Sequence, residues 1–118
     1  MSLTLKRRPV GNVTIIDASG RITLGDATAL LRETINVESE KSRNILLNLA
    51  NVTYIDSSGL AELLGSYASV RNSGGEIKLL NIHKRIHDLL LMTRLLTIFE
   101  TFEDEDTAVK SFSSSASA

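Results

Sequence analysis

The chain has 118 residues, of which 42% are hydrophobic and 23% charged, a composition typical of one ordinary globular domain. Its net charge of −1 is not the basic balance of a general nucleic-acid binder, and the absence of cysteine excludes disulfides, thiolate metal sites and a cysteine nucleophile. No apolar run reaches the roughly 20 residues that cross a bilayer, and the N-terminus lacks the ordered regions of a signal peptide, so we expect a cytoplasmic protein with no membrane or direct nucleic-acid partner.

The N-terminal third predicts a hairpin followed by a helix. The stretches LTLKRR and NVTIIDAS have strand-like composition, and turn-forming residues join them between Pro9 and Asn12. The stretch GDATALLRETINVESEK has a helical period; Glu38 falls outside its apolar face, which comprises Ala27, Leu30, Leu31, Thr34 and Ile35. Asp26 is the expected N-cap of this helix, because its carboxylate can accept from the unpaired amides of the first turn.

The middle of the chain predicts a buried strand and a second helix. The near-continuous apolar run in NILLNLANVTYI is typical of a strand that is covered on both faces. A helix is expected from Leu60, with a buried stripe of Leu60, Leu63, Leu64, Tyr67 and Ala68. Gly74 and Gly75 should end it, since glycine adopts the left-handed conformation of a helix C-cap without a Cβ clash.

The C-terminal third predicts two more strands and two more helices. EIKLLNI is read as an internal strand, TIFETF as an edge strand and DEDTAVKSF as a short last helix. KRIHDLLLMTRLL predicts a helix, because Ile86, Leu89, Leu90 and Thr93 have helical spacing. Its three consecutive leucines cannot all face inward, so one of them is expected to be exposed. Residues 113–118 are expected to be a disordered tail.

A hairpin followed by alternating helices and strands indicates an α/β fold. We therefore expect one domain over residues 1–112, with a four- to five-stranded mixed sheet and about four helices packed against it.

One turn stands out within this pattern. Asp56, Ser57, Ser58 and Gly59 follow the buried strand and precede the second helix, and functional loops of open α/β sheets lie at the carboxyl ends of strands. A phosphate on a serine here would be tolerated, because the amides of a helix N-terminus and the helix dipole favour an anion. From these four residues alone a plain helix cap is the stronger interpretation, because Ser, Asp and Gly are common at helix starts.

The flanking sequence LLNLANVTYIDSSGLAELLGSYASVRNSGGEIKLLNI resembles the central region of STAS domains, specifically the bacterial anti-sigma factor antagonists. The resemblance implies that Ser57 is a phosphoacceptor, with Ser58 as its neighbour. It also implies a partner-switching cycle, in which the unphosphorylated protein binds an anti-sigma factor that is a serine kinase and so releases a sigma factor. A serine phosphatase would reverse the phosphorylation, and the chain itself would be neither an enzyme nor a cofactor-binding protein.

The same resemblance predicts the partner surface, and the chain departs from the family in places. We expect the anti-sigma factor to contact Asp56, Ser58, Gly59 and the loop from Thr23 to Asp26. Thr23 stands where many relatives have an aspartate, and Asp26 lies close enough to replace it in part. Lys84 and Arg94 align with a proline and a glycine of the family; loss of that glycine removes a helix stop.

Three other interpretations remain open. Ser57 as the nucleophile of a serine hydrolase lacks the Gly-x-Ser-x-Gly motif and a recognisable triad. His83 and His87 lie four residues apart, but without a third ligand we predict surface imidazoles rather than a metal site. The chain could instead be a structural or ligand-sensing STAS module in a larger signalling assembly, whereas a regulatory antagonist should be a monomer or a small homo-oligomer.

Overall fold

The computed structural model describes the backbone of residues 2–116 and the side chains of residues 2–112. The elements in chain order are β1 Leu3–Val10, β2 Val13–Ile22, α1 Asp26–Lys41, β3 Asn44–Ile55, α2 Ser57–Asn72, β4 Glu76–Leu80, α3 Lys84–Met92, a 3₁₀ turn Leu95–Thr97, β5 Thr101–Phe102 and α4 Glu105–Ala116. The predicted α/β class, with a mixed sheet of five strands and four helices, is confirmed.

The sheet has the order β1-β2-β3-β4-β5, with β1 antiparallel to β2 and the other neighbours parallel. The buried strand β3 is central, and its neighbouring side chains Leu46 and Leu47 enter different cores. Leu47 packs with the apolar residues of α1, α2 and α3, and Leu46 packs with Ala108 and Phe112 of α4. Helices therefore cover both faces, which is why β3 reads as a continuous apolar run.

The predicted hairpin forms with a tighter turn than expected. Pro9 lies within β1 and pairs with Thr14, so the connection comprises only Gly11 and Asn12. Proline is tolerated there because β1 is an edge strand. Gly11 has a φ of 61°, which the short connection requires.

Two predictions for α1 are wrong. Asp26 is the first residue of the helix rather than its N-cap; that position belongs to Gly25, which has no side chain to cap with. Leu30 is exposed and Glu38 is buried. Glu38 can be buried because Arg7 of β1 donates to its Oε2 at 3.2 Å, and a paired carboxylate tolerates the loss of water.

Helix α2 begins at Ser57, three residues earlier than predicted, and its buried stripe differs from the predicted one. Leu64 and Ala68 face solvent, whereas the buried side includes Leu60, Leu63, Glu62, Ser66 and Val70. The contact with α1 selects this face, since Arg32 of α1 pairs with Glu62 at 2.7 Å. At the other end Gly74 has a φ of 86°, as expected for a glycine that follows a helix.

The C-terminal third follows the prediction with shorter elements. Leu91 is exposed, as expected for one of the three leucines, but Thr93 is also exposed. The segment predicted as an edge strand begins with a 3₁₀ turn, and β5 is only two residues long. Arg94 has a φ of 65°, the conformation that the family's glycine would adopt without strain. The predicted tail starts where side chains are no longer described and ends outside the described residues, so it stays a prediction.

Candidate functional site

The turn Asp56–Gly59, hereafter the switch turn, lies at the carboxyl edge of the parallel strands, as predicted. Strand β3 ends at Ile55, Asp56 is the N-cap of α2, and Ser57 is the first residue of the helix. Ser57 is exposed and Ser58 is half-buried. The more accessible hydroxyl of the two therefore belongs to Ser57, next to the amides that open the helix.

Asp56 connects the switch turn to the preceding loop. Its Oδ1 accepts from the Gly59 amide at 2.7 Å, and its Oδ2 accepts from the Leu24 amide at 3.0 Å. These two hydrogen bonds, that from Leu24 first, hold the pKa of Asp56 below its ordinary value, because a carboxylate that accepts from amides is favoured in its charged form. Asp56 is thus a capping residue that also fixes the position of Leu24.

Gly59 is buried, and a backbone of the same chain approaches it. A Cβ at this position would overlap the carbonyl oxygen of Ile22 and would lie 2.7 Å from Cγ2 of Ile55. The missing side chain therefore lets the end of β2 pack against the first turn of α2. Direct contact between Gly59 and a partner stays a prediction.

The loop Thr23–Gly25 presents an apolar side chain that the sequence analysis missed. Leu24 is 76% exposed, although its backbone is held by Asp56. Thr23 is half-buried, and Asp26 is exposed at the start of α1. The sequence does contain a clue to Leu24. It is a single leucine before a glycine and belongs to none of the apolar periods of the strands and helices, so no element turns it toward the core.

A second missed feature lies beside the switch turn. Arg21 pairs in register with Tyr54, and its guanidinium carbon lies 5.0 Å from the centre of the Tyr54 ring. Both side chains are exposed. The sequence alone could not bring Arg21 and Tyr54 together, because their contact depends on the register between β2 and β3.

The histidines do not assemble a site with Ser57. A ring nitrogen of His83 lies 2.8 Å from the carbonyl oxygen of Val52, to which it donates, and Nδ1 of His87 lies 3.7 Å from Asp88. His83 is exposed and His87 is half-buried. The described part of the chain holds no group of three His, Asp or Glu side chains placed to bind a metal ion, and among its helices none is both long and apolar enough to span a bilayer.

Comparisons with known proteins agree with this architecture. The STAS domain family model matches residues 5–108. The anti-sigma F factor antagonist of Paenibacillus polymyxa is 32% identical over 62% of either chain, less than two thirds of that relative. The anti-sigma-B factor antagonist of Bacillus subtilis is 31% identical over 72% of this chain and 77% of that protein.

Solved structures share the fold at lower identity. A Thermotoga maritima protein described as an anti-sigma factor antagonist has a TM-score of 0.83 with 22% identity, over 92% of this chain and 93% of its own. The phosphorylated form of the Bacillus cell fate determinant SpoIIAA has a TM-score of 0.71 with 19% identity, over 91% and 97%. A sulfate transporter family protein from Wolinella succinogenes has a TM-score of 0.80 with 19% identity, over 92% and 91%.

The family match covers most of the chain, and the sequence relatives cover most of its length at about a third identity. Together with the five-stranded sheet and the switch turn at its carboxyl edge, these matches show that the chain belongs to the STAS domain family, in the group of the anti-sigma factor antagonists.

Proposed function

We propose that this chain antagonises an anti-sigma factor and is controlled by phosphorylation of Ser57. In the unphosphorylated state it binds an anti-sigma factor that is also a serine kinase, which frees a sigma factor. Phosphorylation of Ser57 ends that binding, and a serine phosphatase restores it. The observation that carries the proposal is the exposed Ser57 at the first position of α2.

The local physics supports a phosphate at this position. The first amides of a helix lack intrahelical acceptors, and the N-terminal end of the helix dipole favours negative charge. One oxygen of the Asp56 carboxylate accepts from the Gly59 amide and the other from the Leu24 amide. The carboxylate next to a phosphate on Ser57 is therefore held in place by hydrogen bonds to the backbone. The fold should tolerate the phosphate while the surface changes from neutral to strongly anionic.

The proposed docking surface surrounds Ser57. It consists of Leu24 and the predicted contacts Thr23, Asp26, Asp56, Ser58 and Gly59. Asp56 joins the two segments by its hydrogen bond to the Leu24 amide. An apolar side chain that is 76% exposed gains free energy when a partner covers it. A phosphate beside it opposes docking through like-charge repulsion and the cost of removing its water.

The same proposal assigns no catalysis to the chain. The anti-sigma factor supplies ATP chemistry, and Ser57 is its substrate. We place the protein in the cytoplasm, together with the anti-sigma factor kinase and the phosphatase of this cycle, and we expect a monomer or small homo-oligomer.

The test uses the anti-sigma factor kinases of the source organism, each purified and incubated with the chain and ATP. Intact-mass spectrometry should show one added phosphate on the wild type and on Ser58→Ala, and none on Ser57→Ala. Calorimetry should show binding of the unphosphorylated chain and a loss of about 100-fold or more after phosphorylation. Stoichiometric phosphorylation of Ser57→Ala would contradict the assignment.

Failure to bind any of these kinases would favour the alternative of a structural or ligand-sensing STAS module. Size-exclusion chromatography of the native protein from cell extract then separates the two functions, because a module of a larger assembly elutes with that assembly.

A further inference from the structure

The rim of the switch turn carries a cation that the fold leaves unneutralised. Arg21 is exposed at the end of β2, and no carboxylate among the described residues forms an ion pair with it. Among the described residues Arg7, Arg8 and Arg32 pair with carboxylates, whereas Arg21 shares the lack of an ion pair with Arg43, Arg71, Arg85 and Arg94. A positive charge without an internal partner is available to another molecule.

Tyr54 holds this cation in a defined orientation. The Arg21 guanidinium lies over the Tyr54 ring at 5.0 Å, and a guanidinium that stacks by its face keeps its N–H donors free at its edge. That planar fork matches a carboxylate in a bidentate geometry. Stacking also removes part of the side-chain freedom that binding would otherwise have to remove.

The backbone places this pair at the same carboxyl edge of the sheet as Ser57. The register between β2 and β3 shifts between Gly20 and Arg21, and Gly20 has a φ of 113° with the Ser2 carbonyl where a Cβ would be. An irregularity of this kind re-aims the side chains that follow it. Arg21 lies two residues before Thr23 and Tyr54 two residues before Asp56, so the backbone of the pair adjoins both segments of the proposed docking surface, while Ile22 and Ile55 beside them enter the core.

The two carboxylates near the switch turn each lie beside backbone donors or a helix end. The Asp56 carboxylate accepts from the amides of Leu24 and Gly59, and Asp26 starts α1, where the helix dipole partly offsets its charge. Arg21 contributes a positive charge at this edge, and a phosphate at Ser57 would add negative charge to the same edge.

We propose that Arg21, oriented by Tyr54, determines which anti-sigma factor this chain recognises. The matching surface presents a carboxylate to the Arg21 fork and aliphatic side chains to Leu24 and to the exposed part of Tyr54. This inference rests on the proposed function and adds the chemistry of the partner. It assigns to Arg21 and Tyr54 a role in specificity, not in the phosphorylation chemistry.

The experiment measures binding of the kinase identified above to variants of the unphosphorylated chain by calorimetry. Arg21→Glu should weaken binding about tenfold or more, and Arg21→Lys by less, because lysine keeps the charge without the fork. Arg71→Glu is the matched control, since Arg71 also stacks on a tyrosine, Tyr67, at 5.6 Å. It lies fourteen residues along α2 from Ser57, about 21 Å away, and its binding should stay within about twofold of the wild type.

The outcomes separate the two proposals. If the wild type binds and Arg21→Glu binds with the same affinity, the specificity role is overturned and the proposed function stands. The same conclusion follows if Arg71→Glu loses as much affinity as Arg21→Glu. Absence of binding by the wild type overturns both. Circular dichroism checks that each variant is folded. Tyr54→Leu is a second variant, which keeps an apolar side chain but removes the ring that orients Arg21, and it should weaken binding about threefold or more. An unchanged affinity of Tyr54→Leu would also count against the specificity role.

Discussion

Asp56 shows how one side chain in this chain serves two segments. It caps α2 through the Gly59 amide and anchors the loop Thr23–Gly25 through the Leu24 amide. Asp26, which the sequence favoured as a cap, makes no such bond and simply begins α1. The difference arises from the preceding residue: Gly25 has a positive φ of 114°, a conformation that favours glycine, and it takes the N-cap position one residue earlier.

The double hydrogen bond predicts a pH-dependent stability. The pKa of Asp56 is below its ordinary value, and the amide of Leu24 is the largest cause. The carboxylate therefore stabilises the fold fully above about pH 4, the pKa of an unfolded aspartate, and this contribution is lost as the pH falls through the lower folded pKa. Asp56→Asn should be less stable than the wild type in urea at neutral pH, with a gap that narrows below about pH 4.

The control is Asp26→Asn. The Asp26 carboxylate is exposed and does not cap α1, so this substitution should change the free energy of unfolding less than Asp56→Asn does. A stability gap for Asp56→Asn that is the same at neutral and acidic pH would show that the carboxylate charge does not contribute.

Helix α2 contains two glycines with opposite predicted effects. Gly59 packs against Ile22, and Gly65 has no atom within 4 Å of an added Cβ. Gly59→Ala should lower the free energy of unfolding by about 1–3 kcal/mol through overpacking. Gly65→Ala should raise it by about 0.5–1 kcal/mol, because alanine has the better helix propensity. Urea unfolding of the two variants measures both, and equal effects would refute the packing of Gly59.

Two adjacent leucines test the face that α2 buries. Leu63 is fully buried and Leu64 is 40% exposed. Leu63→Ala should cost about 2–5 kcal/mol of unfolding free energy, whereas Leu64→Ala should cost about 0.5 kcal/mol. The same substitution at neighbouring positions is its own control; comparable losses at both would mean that the buried stripe runs where the sequence predicted it.

These helices also show what periodicity resolves. The apolar spacing was sufficient to identify α1, α2 and α3, because each has to bury one side. It placed Leu30 and Leu64 inward and Glu38 outward, and all three are wrong. A helical period fixes the spacing of a stripe but not its rotation, and here ion pairs with Arg7 and Arg32 of other elements let Glu38 and Glu62 occupy buried positions.

For the molecule as a whole, the two cores lie on the faces of the sheet and Ser57 lies at its carboxyl edge. Leu46 and Leu47 of β3 enter cores on opposite faces, while Ser57 lies beyond the end of that strand. A charge added at the exposed Ser57 is therefore introduced at the edge of the sheet and not between the sheet and its helices. Phosphorylation should change binding without unfolding the domain.

Phosphorylated and unphosphorylated protein should give the same far-UV circular dichroism spectrum. Their thermal midpoints should differ by no more than about 4–8 °C, the shift that 1 kcal/mol produces in a domain near this size. The rate of amide hydrogen exchange should change around residues 21–24 and 55–60, and it should stay unchanged in the rest of β3. The Ser58→Ala protein, phosphorylated in parallel, controls for the neighbouring hydroxyl; a midpoint lowered well beyond this range would show that the phosphate disrupts the fold.

The sequence by itself determined the α/β class, the order of the elements and the position of Ser57 at a helix entrance. Apolar period, turn residues and capping chemistry are local, and they are written in neighbouring residues. The tertiary structure decided that Asp56 reaches Leu24, that Gly59 admits Ile22 and that Arg21 stacks on Tyr54. Each of these contacts joins residues 32 to 37 positions apart near the pairing of β2 with β3. That register depends on the packing of the whole sheet rather than on any single segment.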